Sequence, residues 1–298
     1  MSEAFHCGYV AIIGRPNVGK STLMNRSVGQ KISITAPKPQ TTRHQILGIR
    51  SREDGQIVYV DTPGLHTQEK SQLNRYLNRA AATVLQDVDV ILFVIQAMRW
   101  TDEDQQVLER LKNVPGDVIL VINQVDRVED KNKLLPFIQD VSGRMEFADV
   151  VPFSARKGEN LDALEESIIR HLPESPPFYP EDQVTTRSER FVAAEEVREQ
   201  ITRCLHREVP YSVSVEIEQF REKKGVTHIH ALIWVERPGQ KAIIIGKRGE
   251  MLKQIGERAR KSLERNLDRK IFLQLWVKVR EGWSDDERAL RSLGYGED

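Results

Sequence analysis

Short apolar runs alternate with stretches of helical period through the first half of the chain. Tyr9–Ile13, Gln56–Val60, Val88–Ile95, Val118–Ile122 and Val150–Phe153 are compact and rich in β-branched residues, which predicts buried strands. Gln45–Ser51 predicts one more strand, parted from Gln56–Val60 by the turn Glu53-Asp54-Gly55. Helical spacing appears from Ser21 to Val28-Gly29, then at Leu73–Leu85, Glu103–Leu111, Lys133–Met145 and Leu161–His171. Strands flanked by helices predict βαβ units: an α/β domain with a mostly parallel sheet, binding its ligand off the carboxyl ends of the strands.

The pattern then changes. Leu172–Pro180 holds four prolines and cannot continue a helix, so it predicts a semi-rigid linker. The expected division is 1–172, a Pro-rich linker 173–186, and a second domain 187–298. Within that domain Arg187–Arg207 predicts an amphipathic helix with Phe191, Ala194, Val197, Ile201 and Leu205 on one face. Strands follow at Tyr211–Ile217 and Thr227–Val235, then a short Ile-rich turn, a long helix to about Leu267 and a last strand Ile271–Val279. The order is α-β-β-α-α-β.

Length fits two domains: 298 residues, 39% hydrophobic and 30% charged, enough for two modest cores. Formal net charge is zero, so attraction to an anionic partner must come from a local patch. The two cysteines, Cys7 and Cys204, lie far apart without metal-ligand spacing, and no signal peptide is apparent, which points to a reducing cytoplasm. No apolar run approaches the ~18 residues of a membrane span.

The candidate chemistry starts at Gly14-Arg15-Pro16-Asn17-Val18-Gly19-Lys20-Ser21, the GxxxxGK[ST] spacing between a strand and a helix. A loop wrapped round a polyphosphate must turn successive N–H groups inward, and Gly14 and Gly19 allow it. The helix start adds partial positive charge, Lys20 a full charge, and the Ser21 hydroxyl a magnesium ligand. Gln40-Thr41-Thr42-Arg43 lies on the following Pro-broken loop, where a threonine completes a magnesium shell and senses a γ-phosphate. Asp61-Thr62-Pro63-Gly64 ends the next apolar strand; Asp61 is placed to organise magnesium and Gly64 to offer its N–H to the γ-phosphate. Asn123-Gln124-Val125-Asp126 and Ser154-Ala155-Arg156 end two later strands. A carboxylate at Asp126 accepts from both guanine N1–H and the exocyclic amine, donors that adenine lacks. A plain Asx turn is the bland alternative for Asn123 and Asp126, and four ordered motifs in one α/β frame outweigh it.

GRPNVGKS at 14–21, QTTR at 40–43, DTPGLH at 61–66, N-x-V-D at 123–126 and SA at 154–155 resemble the bacterial Era family, GTPases of the translation-factor class. The likeness runs to the GWSDDERALRSLGY ending. It implies a P-loop GTPase domain binding GTP or GDP with Mg2+, slow in intrinsic turnover. Lys20, Thr42, Asp61 and Gly64 would serve catalysis, with Ser21, Thr42 and, through water, Asp61 around the metal. Nucleotide contacts would extend through Thr22, Thr62, Pro63, Leu65, Val125 and Arg156. Leu65 stands where Ras-like switches carry a water-positioning glutamine, so another group must help: backbone, a potassium ion near Asn17, or bound RNA. Two residues depart from the pattern. Gln124 replaces a lysine whose stem covers the base and whose charge braces the phosphate loop, and Ser27 replaces a core aliphatic. Both predict weaker nucleotide binding or stability.

Gly246-Lys247-Arg248-Gly249 is a GxxG loop entering a helix, and with the α-β-β-α-α-β order it matches a type II KH domain, which clamps single-stranded nucleic acid. Residues 237–270 hold 11 Lys/Arg against 4 Asp/Glu in a chain of zero net charge. The candidate RNA contacts are Gly246, Lys247, Arg248, Gly249 and Lys253, with Ile243–Ile245 as base-groove or core residues. His228 and His230 alternate on a strand without ligand spacing and read as surface or packing. The resemblance further implies the 3′ end of small-subunit ribosomal RNA as partner, a role in small-subunit assembly, no DNA, and peripheral association with the cytoplasmic face of the inner membrane. Leu65 and Gln124 support one rival, an RNA-binding protein with a degenerate nucleotide sensor.

Overall fold

The computed structural model describes residues 4–36, 41–61, 87–205, 213–286, 288 and 290. The expected helix Leu73–Leu85, the motif residues Gln40, Thr62, Pro63, Gly64 and Leu65, and half of the GWSDDERALRSLGY ending lie outside them. By contacts the chain forms two units: Met1–Ser33, Thr42–Leu65 and Leu77–Thr186 in one, Ile34–Thr41, His66–Tyr76 and Arg187–Asp298 in the other.

In the first unit β1 (His6–Ile13), β2 (Ile46–Ser51), β3 (Gly55–Asp61), β4 (Val90–Gln96), β5 (Asp117–Asn123) and β6 (Asp149–Phe153) make one sheet, ordered β2-β3-β1-β4-β5-β6. Only β2 is antiparallel, hairpinned to β3. The central strands are buried on both faces because helices cover both, which is why they read as unbroken apolar runs. Among the described residues the helices are α1 (Lys20–Val28), α2 (Asp102–Leu111), α3 (Leu134–Ser142) and α4 (Leu161–His171). Thr101 and Asp104 close a capping box that starts α2. Helix α3 stops short of the expected Met145 and leads into Gly143.

Ser27 faces the sheet as its position in α1 requires. It is buried beside the Tyr59 hydroxyl, yet neither oxygen makes a well-formed hydrogen bond among the described residues. A buried hydroxyl left this way costs about 1–3 kcal/mol.

Residues 173–186 are not a free spacer: they lie along the first unit. Cys7 N donates to Pro173 O at 3.1 Å, Ser175 N to Phe5 O at 3.0 Å and Ile49 N to Val184 O at 2.9 Å. Buried Gln56 organises this clasp. Its Oε1 accepts from Phe178 N at 2.9 Å and Tyr179 N at 3.0 Å, while Nε2 donates to Tyr179 O at 2.8 Å and Ser51 Oγ at 3.0 Å. Prolines supply few amides of their own, so one glutamine side chain satisfies the peptide groups that remain.

The second unit holds α5 (Glu189–Cys204), β7 (Val213–Lys223), β8 (Val226–Val235), α6 (Pro238–Ile245), α7 (Glu250–Leu267) and β9 (Ile271–Val279). Its sheet is ordered β7-β8-β9, with β8 antiparallel to β7 and parallel to β9. Strand β7 runs six residues past the expected Ile217, through polar Gln219–Lys223, because the Lys224-Gly225 turn with both φ positive closes a tight hairpin. Helix α5 is buried on more than its apolar side. Ala193, Val197, Ile201 and Leu205 join the core and Ala194 packs against it, while Phe191 is half-buried outside that cluster. Its other face buries Glu195, Glu196, Arg198, Glu199, Gln200 and Thr202. Two of the buried acids are matched by arginines: Arg198 pairs with Glu195 and Arg203 with Glu199. The same arginines hold the loop segment that clusters with this unit, Arg198 donating to Thr41 O at 2.5 Å and Arg203 to Thr35 O at 2.7 Å.

Gln56→Leu keeps the side-chain volume and leaves the Phe178 and Tyr179 amides and the Tyr179 carbonyl unpaired. Stability should fall by about 2 kcal/mol, with faster proteolysis within 173–186. Unchanged cleavage there would show that the clasp does not depend on Gln56.

Candidate functional site

The phosphate loop is shaped by close backbone approach. A Cβ on Gly14, at φ +154°, would sit 2.3 Å from the Val94 carbonyl, and one on Gly19, at φ +102°, 2.4 Å from Asn123 Nδ2. Only glycine fits either position. Asn17 turns the loop at φ 65° with its side chain exposed, Val18 is buried, Pro16 and Thr22 are half-buried. Lys20 lies back over the loop, donating to Gly14 O at 2.7 Å and Arg15 O at 3.0 Å. Burial depresses the Lys20 ammonium to about 8, partly offset by the Asp61 charge. A polyphosphate would supply the missing counter-charge.

The Arg15 side chain turns away from the loop's interior. It donates to Asp104 Oδ2 and Gln96 Oε1, both at 3.0 Å, and is buried. Its guanidinium therefore anchors the loop to α2, leaving its backbone for a ligand. Asp104 thus both caps α2 and holds Arg15, and no sequence motif marked either role.

Asp61 closes β3 fully buried, and three hydroxyls converge on its Oδ2: Ser21 at 2.7 Å, Ser33 at 2.9 Å and Thr42 at 3.3 Å. Ser21 Oγ and Thr42 Oγ1 lie 3.0 Å apart. The structure thus brings Ser21, Thr42 and Asp61 together, and adds Ser33, which no motif marks. Burial pushes the Asp61 carboxyl above its usual range, opposed by Ser21 and by the Lys20 charge. Asp61 Oδ1 is buried with no hydrogen-bond partner among the described residues. A free lone-pair oxygen beside two hydroxyls is the donor set of a hard, oxygen-seeking cation, so these residues fit Mg2+.

The base side is held by Asn123. Its Nδ2 donates to Val18 O at 2.8 Å, and its Oδ1 accepts from Gln124 N at 2.8 Å and Ala155 N at 3.0 Å. Ser154 Oγ donates to Asp126 Oδ1 at 2.8 Å, fixing the orientation of the carboxylate. Val125 is buried and Arg156 exposed; Arg26 of α1 donates to the carbonyls of Ala155 and Arg156 at 3.1 and 2.6 Å. Gln124, in the left-handed region at φ 68°, points its amide at the phosphate loop, 3.3 Å from Asn17 O, and accepts from Arg127 at 3.0 Å. Glutamine thus retains a contact to the loop, and what it lacks is the charge.

In the second unit α6 ends at Gly246 (φ 73°), where a Cβ would lie 2.6 Å from Met251 Cβ. Lys247 and Arg248 follow, both exposed, and Gly249 (φ 80°) leads into α7, which carries exposed Lys253. Ile244 is core, Ile245 packs against it, and Ile243 is 51% exposed. The GxxG loop therefore presents two cations and one apolar side chain beside a helix N-terminus. Among the described residues no cluster of His, Cys, Asp and Glu forms a metal site, and no helix is long and apolar enough to cross a membrane.

A phosphate cradle, a buried acid under hydroxyls and a base-reading loop on a mostly parallel sheet, followed by a GxxG unit, define a P-loop GTPase joined to a KH domain. Family models agree: that of the 50S ribosome-binding GTPases matches residues 9–124 and that of the KH domain residues 208–284. GTPase Era of Pseudomonas entomophila is 58% identical over 98% of this chain and 97% of its own, and that of Pseudomonas syringae pv. syringae 58% over 99% of each. Crystal structures of Aquifex aeolicus Era bound to GDP and aluminium fluoride, and of Era with MgGDPNP and nucleotides 1506–1542 of 16S ribosomal RNA, superpose at TM-score 0.93. Each is 40% identical, covering 98% of this chain and 100% of the solved one. The chain belongs to the Era family of GTPases.

Gln124→Lys adds charge to a contact already made, so GTP and GDP should both tighten, by only about two- to threefold, at unchanged saturating turnover. Titration with a fluorescent guanine nucleotide measures it. A tenfold gain would mean that the glutamine contributes nothing to the loop.

Proposed function

We propose that this GTPase binds the 3′ end of small-subunit ribosomal RNA through its GxxG loop and acts as a nucleotide-controlled factor in small-subunit assembly. The observation that supports it best is the pairing, along one chain, of a guanine-type nucleotide site with an exposed Lys247-Arg248 loop at a helix start. The related Era structure holds 16S RNA, a small-subunit molecule, and it matches the whole chain. That favours the small subunit over the large one named by the family model of residues 9–124.

Hydrolysis of GTP transfers the γ-phosphoryl group to water, and catalysis is positioning and charge neutralisation. Lys20 and the loop amides would hold the β- and γ-phosphates, the ammonium leaving the Gly14 and Arg15 carbonyls it now contacts. Ser21 and Thr42 would ligate Mg2+, with Asp61 Oδ1 accepting from a water of its shell; when bound, the ion neutralises charge on the phosphate oxygens. Asp126, steadied by Ser154, would read the guanine edge. We assign Gly64 to the γ-phosphate, and take the leucine at position 65 as the reason for slow turnover, aided by a potassium ion near Asn17 or by bound RNA. The cytoplasm, where ribosomal RNA is found, is the proposed location; peripheral contact with the inner membrane would show as salt-sensitive cosedimentation with membranes.

Asp126→Asn presents a donor to the donors of guanine, so preference should move to xanthine nucleotides. Unaltered GTP affinity would remove Asp126 from base reading. Replacing Lys247 and Arg248 with Asp should weaken binding of single-stranded 16S 3′-end RNA at least tenfold and flatten its salt dependence, with GTP affinity unchanged. Full RNA affinity with a steep salt slope would move the site elsewhere, to the helix carrying Arg258–Arg265.

A further inference from the structure

The second unit's sheet has two unlike faces. Thr227, Ile229, Ala231, Ile233 and Val235 of β8 are buried, the four apolar ones against core. The alternate residues, His228, His230, Leu232 and Trp234, point to the other side. Strand register sets Phe272, Gln274, Trp276 and Lys278 of β9 beside them, and Arg221, Gln219 and Glu216 of β7 on their far side. This face is rich in rings that remain open: Phe272 is 48% and Trp276 51% exposed. The His228 ring lies 5.1 Å from that of Phe272, tilted by 42°. Lys278 Nζ stands 5.9 Å from the Trp234 ring, and 3.9 Å from the exposed Glu218 carboxylate. Trp234 Nε1 donates to Glu216, which occupies that acid.

Half-exposed aromatics present flat π-faces that a planar ligand can cover. Phe272 and Trp276 are four residues apart, about 13 Å along the strand, with polar Gln274 between them. The rings are therefore separate platforms rather than one apolar patch of the kind a protein partner buries. Arg221 stands beside His228 at one end, and at the other Lys278, beside Trp234, is paired with Glu218. Separate π-faces with a cation at hand are what unstacked bases require. We propose that this sheet face is a second RNA seat, taking unstacked bases on Phe272, with His228, and on Trp276, distinct from the GxxG loop. The proposal rests on RNA being the ligand of this unit.

The test uses the full chain saturated with GDPNP and two probes: a tetranucleotide, which fills only a GxxG clamp, and RNA spanning nucleotides 1506–1542 of 16S ribosomal RNA. Phe272→Ala with Trp276→Ala should weaken the long RNA at least fivefold and the tetranucleotide less than twofold. Phe272→Tyr with Trp276→Phe, which keeps the rings, should bind both like the parent. Exchanging Lys247 and Arg248 for Asp should weaken both probes. An unchanged long-RNA affinity in the double alanine variant would overturn the proposal, as would equal losses on the two probes. Retained RNA affinity with lost binding to purified small ribosomal subunits would give the face to a protein partner instead. Failure of the proposed GxxG reading is seen separately, as undiminished tetranucleotide binding in the Asp variant.

Discussion

Three loops meet in one side chain. Asn123 satisfies the Val18 carbonyl of the phosphate loop, the Gln124 amide of its own loop and the Ala155 amide of the loop after β6. Each of those groups is withdrawn from water, and none has a regular secondary-structure partner to turn to. An amide side chain at the end of β5 supplies both acceptor and donor in one rigid plane, which aspartate could not. The approach is close enough that Gly19 must be glycine, since its Cβ would strike that same amide. The phosphate and base halves of the site are thereby held as one body before any ligand arrives, so binding energy need not be spent on arranging them.

Around that brace the site is electrostatically unfinished. Burial depresses the Lys20 ammonium and raises the Asp61 carboxyl, each a charge whose neutral form the interior favours. Both are held by hydroxyls or carbonyls rather than by a full counter-ion. A magnesium-bound polyphosphate brings both missing charges together, cation to Asp61 and anion to Lys20, and this is why such a ligand suits the pair better than either ion alone. Ser33 and Thr42 both reach Asp61, while Thr35 and Thr41 between them are held by arginines of α5.

The second unit divides its chemistry by face and by loop. Its helices pack on one side of the sheet around Val197, Ile201, Ile229 and Ile255, which leaves the opposite side with rings and charges. The described strands and helices of this unit bury one core between them. The GxxG loop sits apart from it, where backbone at φ values open to glycine lets a phosphate chain come near.

What sequence alone determined is whatever depends on neighbours along the chain. Apolar runs between helical stretches specified the parallel sheet, because a strand buried on both faces has no polar alternation to keep. GxxxxGKS, N-x-V-D and GxxG specified their loops, because glycine and turn residues impose backbone shape locally. Periodicity specified most of the α-β-β-α-α-β order, while the Ile-rich stretch read as a turn is the helix α6. Tertiary structure decided whatever depends on distant partners: that Arg15 serves Asp104 rather than facing a ligand, that Ser33 joins the hydroxyls on Asp61, and that Gln124 still reaches the phosphate loop. It also turned the proline-rich linker into a clasp on Gln56, and buried the charged face of α5. A charge or an amide is placed by the partner that compensates its burial, and that partner lies tens of residues away, where no local pattern can announce it.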